Sequence, residues 1–143
     1  MSRFPEIAAA AWSAVKIGRC MENSSIAILQ HDTDVAQSLA GLLRSHFDFV
    51  RMSGSQQELR EAVLTDRPAA VILDIELAHL SDVKTLRQQY PLLPIVCTHR
   101  LPDEEMWTAA LDAGASDVCP TYDMKTVLSS VLRNVAGGRD AAA

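Results

Sequence analysis

The chain has 143 residues, 48% of them hydrophobic and 22% charged, with a net charge of −5 and four histidines. That length suits one domain with a real core and is short for two. The acidic balance argues against nucleic acid as a partner, since phosphate contacts need clustered Lys and Arg, and no apolar run reaches the length of a membrane span. Cys20, Cys97 and Cys119 lack metal-ligand spacing. Cys97 and Cys119 fall inside expected strands, where cysteine acts as a small apolar residue, and a reducing cytoplasm is the expected compartment.

Residues 1–24 read as an extension. Ala8–Ala11, Trp12, Val15 and Ile17 are spaced as on an amphipathic helix, without the order of a secretory signal. Either this segment packs on the domain or a partner, or Met21 is the natural start.

From Ser25 a regular alternation begins. Ile26–Leu29 predicts a short apolar strand, followed by the polar stretch Gln30-His31-Asp32-Thr33-Asp34. A helix follows with Val35, Leu39, Leu42, Leu43 and Phe47 at spacings of three and four, capped by Asp32, Thr33 or Asp34. Phe49–Met52 predicts a half-buried strand, and Gln56–Thr65 a helix carrying Leu59, Ala62, Val63 and Leu64. Ala69-Ala70-Val71-Ile72-Leu73-Asp74 is a near-continuous apolar run ending in an acid, the pattern of a strand buried on both faces.

Ser81–Gln89 predicts a weakly patterned helix, stopped by Tyr90-Pro91-Leu92-Leu93-Pro94. Ile95–Thr98 predicts a fourth buried strand. Leu101-Pro102-Asp103 then opens a helix whose inner face would hold Met106, Trp107, Ala110 and Leu111, closed by a glycine cap at Gly114. Ser116–Cys119 is the fifth strand. Asp123–Val135 is the last helix, striped by Met124, Val127, Leu128, Val131 and Leu132, and 137–143 reads as a flexible tail. Five strand–helix units over 25–136 predict an α/β fold: a doubly wound, five-stranded parallel sheet with helices on both faces. In such sheets ligands bind at the carboxyl edge, where Asp74 lies.

The order and spacing resemble the receiver domain of two-component response regulators, the CheY-like variety of the flavodoxin-like fold. Pro68–Asp74, Leu29–Val35, Pro94–Cys97 and Ala113-Gly114-Ala115-Ser116-Asp117 carry the likeness. The resemblance implies that Asp74 is the phosphoacceptor position. It also implies a Mg²⁺ site formed by an acidic pair after the first strand, Asp74 and a backbone carbonyl two residues on, at Glu76. The acidic pair falls on Gln30 and His31, poor ligands for a hard cation. Counted without gaps, the phosphoryl-binding Ser/Thr falls on His99 and the lysine on Thr121, which leaves Asp74 as the one active-site side chain kept. The residues thus imply an atypical receiver with poor or no phosphorylation, no bound cofactor and no enzymatic activity of its own.

The resemblance further implies a stand-alone module of phosphorelay signalling acting through protein contacts. Its partner would be a histidine kinase or a downstream signalling protein, with a homodimer through the fourth helix, fifth strand and fifth helix as another contact. On their own terms, His31, Asp74 and His99 converge at one sheet edge with Gln30 and Glu76 near. Three readings stay open for them: an ion pair on Asp74, a transition-metal site of His31, Asp74 and His99, and partly exposed histidines making local hydrogen bonds. His46 and His79 read as surface residues.

Overall fold

The computed structural model describes residues 24–142 apart from Pro102, with side chains to Gly137. The expected amino-terminal helix and Cys20 lie outside these residues. Five strands, β1 (Ser25–Leu29), β2 (Phe49–Ser53), β3 (Ala70–Asp74), β4 (Ile95–His99) and β5 (Asp117–Pro120), alternate with five helices. The helices are α1 (Thr33–Leu43), α2 (Gln56–Asp66), α3 (Leu80–Gln89), α4 (Glu104–Ala113) and α5 (Met124–Ala142). The strands pair in parallel in the order β2-β1-β3-β4-β5. This is the doubly wound architecture that the alternation predicts.

Alternation along each strand divides the core in two. Ala27, Leu29, Val71, Leu73, Ile95 and Cys97 face α2, α3 and α4, meeting Leu59, Val63, Val83, Leu86 and Ala110. Ile26, Ile28, Ala70, Ile72, Val96 and Cys119 face α1 and α5, meeting Leu39, Leu43, Val127, Val131 and Val135. β3 is buried on both faces, as its unbroken apolar run requires. β2 lies at an edge, which accounts for its half-buried pattern; its Arg51 pairs with Asp66 at 2.6 Å and lies over the Phe49 ring.

Several elements depart from expectation. The inner face of α4 is made by Ala110, with Met106 and Ala113 packed beside it, whereas Trp107 and Leu111 are about half exposed. Leu64 of α2 is largely exposed, and Leu42 of α1 partly so. Phe47 is buried but lies beyond the end of α1, in the turn leading to β2. The helix opened by Leu101-Pro102-Asp103 starts instead at Glu104, with the Asp103 carboxylate accepting the Met106 N–H at 2.8 Å. α5 continues helically through Ala142, across the segment expected as a tail. Its alanines are strong helix formers, and adding a residue to an existing helix costs far less than starting one.

Candidate functional site at the carboxyl edge of the sheet

The parallel register places the carboxyl ends of β1, β3, β4 and β5 along one edge. Asp74 is the last residue of β3 and is fully buried. A buried carboxylate needs hydrogen bonds or a counter-charge, and Asp74 has both. Its Oδ1 accepts the Glu76 backbone N–H at 2.8 Å, and its Oδ2 accepts the His31 backbone N–H at 3.1 Å. The His31 imidazole Nδ1 also bonds Oδ2. Of the three readings open for the histidines, the structure supports the ion pair for His31: the hydrogen bond to Asp74 pushes the imidazole pKa above its ordinary 6.5, against a smaller opposing effect of burial. The charges of Asp74 and Glu76 act in the same direction, and Arg100 opposes them.

Gln30 is buried on the face of the sheet shared with Asp74. It donates from Nε2 to Thr98 Oγ1 at 3.3 Å, and its Oε1 accepts the Asp32 N–H at 3.3 Å. Asp32, the nearest acid, is already committed: its Oδ1 accepts the N–H groups of Asp34 and Val35 and so caps α1. Glu76 is held by Arg100, whose backbone N–H donates to Oε1 at 3.1 Å and whose Nε donates to Oε2 at 2.9 Å. Burial disfavours the Glu76 charge, but the bonds and charge of Arg100 prevail and hold its pKa below the ordinary carboxylate value.

Asp74 stands opposite Thr98 in the β3–β4 ladder, so these two side chains share a face and His99 takes the other. Thr98 is buried and bonded to Gln30, whereas His99 is half-buried and its Nδ1 accepts the Leu101 N–H at 3.1 Å. His99, on the other face of β4, does not join His31 and Asp74 in the expected metal set. Among the described residues, the donor atoms within 4.8 Å of one another belong to His31, Asp74 and Glu76. Thr121 lies just beyond β5, buried, its backbone N–H on the His99 carbonyl and its hydroxyl without a hydrogen-bond partner among the described residues. His46 and His79 are exposed, as expected.

One participant escaped the sequence reading. Arg100 had no local signal, since its partner Glu76 lies 24 residues away in the chain.

The edge does not fit Mg²⁺. That ion favours near-octahedral oxygen ligands and retained waters. Here the acidic-pair positions hold Gln30, whose amide nitrogen donates to Thr98, and His31, a nitrogen ligand, and the next acid, Asp32, caps a helix.

No family model and no curated protein matches the chain. Solved structures do. A chain described as a response regulator from Chloroflexus aurantiacus is 25% identical with a TM-score of 0.70, covering 79% of this chain and 98% of that one. A CheY-like response regulator receiver domain protein from Methanospirillum hungatei is 15% identical with a TM-score of 0.74, covering 82% and 98%. A CheX–CheY–BeF₃–Mg²⁺ complex from Borrelia burgdorferi supplies another likeness, 15% identical with a TM-score of 0.69, covering 77% and 87%. With its strand order β2-β1-β3-β4-β5 and Asp74 closing β3, this chain has the fold of the CheY-like receiver domains.

Proposed function

We propose that the chain is a receiver-type module of two-component signalling that acts through protein contacts, with His31 seated on Asp74 and little or no phosphorylation there. The observation that carries this reading is the double engagement of Asp74 Oδ2 by the His31 backbone N–H and imidazole. Phosphoryl transfer to a carboxylate depends on electrostatic stabilisation by metal and cation. Loss of a single preorganised donor in other enzymes costs about 10²–10³ in rate. Here the acidic pair is Gln30 and His31 and the lysine position is Thr121, so both contributions are weakened together.

A binding role, rather than catalysis, fits this pocket. The partner is a kinase or a downstream signalling protein, or a second copy of the chain. Trp107 and Leu111, half exposed one turn apart on α4, offer apolar surface for such a contact. The Borrelia neighbour, determined in complex with another protein, is consistent with that mode. Incubation with acetyl phosphate and Mg²⁺, read by intact mass, tests the proposal. The expected spectrum shows no phosphoryl adduct. A stoichiometric adduct that disappears in Asp74→Asn would overturn the reading.

A further inference from the structure

The edge that rejects Mg²⁺ offers a donor set of another kind. His31 Nδ1 and carboxylate oxygens of Asp74 and Glu76 lie within 4.8 Å of one another. These donors come from three places: the turn after β1, the end of β3 and the loop that follows it. One imidazole with two carboxylates is chemistry for a borderline divalent ion, to which Zn²⁺ and its neighbours bind at about 2.0–2.2 Å. Two donors on one such ion lie at most about 4.4 Å apart. To admit the ion, the His31 imidazole has to swing off Asp74, with which it is now in hydrogen-bond contact, and the Glu76 carboxylate has to draw in.

Both carboxylates are already held by partners of the kind that orient metal ligands. Two backbone N–H groups position Asp74, and Arg100 grips Glu76 through both oxygens. Arg100 can keep one Glu76 oxygen while an ion takes the other. Access is open as well. The His31 side chain is 38% exposed, and a cleft of about 450 Å³ lined by Gln30, His31, Ser53 and Leu77 opens beside it. Water can complete the coordination from that side.

We propose that His31, Asp74 and Glu76 bind one divalent transition cation of the zinc and cobalt class, in place of the Mg²⁺ that receiver pockets hold. In the cation-free protein a proton on His31 Nδ1 lies in the hydrogen bond to Asp74. The ion replaces that proton, which leaves to solvent, and no other bond changes. The inference rests on the donor geometry and stands apart from the signalling role, so the acetyl phosphate experiment and the metal titration fail independently.

The probe is Co²⁺ alone, added to full-length, untagged, chelator-treated protein and followed by visible absorption, with Zn²⁺ then added as competitor. The expected result is one equivalent of Co²⁺ giving ligand-field bands that Zn²⁺ abolishes and millimolar Mg²⁺ does not. Loss of an outer-shell partner alone weakens metal sites 10–100-fold. His31→Ala and, separately, Glu76→Gln are therefore expected to weaken Co²⁺ at least tenfold. The double change His46→Ala/His79→Ala, at exposed histidines outside the donor cluster, is expected to leave the titration unchanged. Circular dichroism of each variant separates a lost ligand from a lost fold, and Glu76→Gln, a near-isosteric surface change, serves if His31→Ala unfolds. No ligand-field band, binding that survives both site variants, or binding that follows His46 and His79 would each overturn the proposal.

Discussion

Asp74 is a fully buried carboxylate whose water has been replaced by two backbone N–H groups and the His31 imidazole. The hydrogen bond to Asp74 raises the His31 pKa above 6.5 in the folded chain. In the unfolded chain the imidazole returns to its ordinary value, so folding takes up a proton between the two pKa values. The stabilisation from this pair is therefore complete below about pH 6.5 and is lost as pH rises through the raised value. Urea unfolding with chelator present is expected to show a larger gap between wild type and His31→Gln near pH 6 than near pH 9. A gap that does not vary with pH would mean that the imidazole carries no shared charge. Thr98 and Gln30 make a second local prediction. Thr98→Val leaves the buried Gln30 amide without its acceptor, which costs about 1–3 kcal/mol. Thr98→Ser, which keeps the hydroxyl, is expected to cost less in the same urea melts.

Elements are joined to one another by a few side chains rather than by apolar packing alone. Gly114 ends α4 with φ +120°, and a Cβ there would lie 2.7 Å from Arg87 Cβ. Arg87 in turn donates to the Gly114, Tyr90 and Pro91 carbonyls and to Ser116 Oγ, tying the end of α3 to the start of β5. Gly114→Ala combines backbone strain of about 1–3 kcal/mol with displacement of this clasp, and a clear fall in Tm is expected by calorimetry. Asp117 performs the same service for α5, accepting from Ser130 Oγ at 2.5 Å and Arg133 Nη2 at 3.1 Å. The glycine cap was legible because few other residues adopt that backbone conformation. The facing of α4 was not, because its inward positions are Met106, Ala110 and Ala113 while the bulky Trp107 and Leu111 suggest a stripe of their own.

Over the described residues the molecule is one sheet with a core on each face, and the strands belong to both. Chemical denaturation is therefore expected to give one cooperative transition, coincident by far-UV and near-UV circular dichroism. Leu59→Ala, at a fully buried site on the inner face of α2, is expected to lower stability by about 2–5 kcal/mol without splitting that transition. The architecture was readable from short apolar runs alternating with helical stripes, because those patterns are local. Within the site, Asp74 and His31 were readable as residues at strand ends. The bonds that define the pocket were not, since Gln30 and Thr98 meet across 68 residues and Glu76 and Arg100 across 24. Only the register of the folded sheet brings such pairs together.

The central claim is that His31 serves as the counter-ion of Asp74 in a pocket that receivers otherwise use for metal and phosphate. The most direct measurement is an NMR titration of the His31 imidazole nitrogens in chelator-treated wild type and in Asp74→Asn. A pKa above 6.5 in wild type that falls back in Asp74→Asn is the predicted result. An imidazole that titrates at its ordinary value in both proteins would contradict the account.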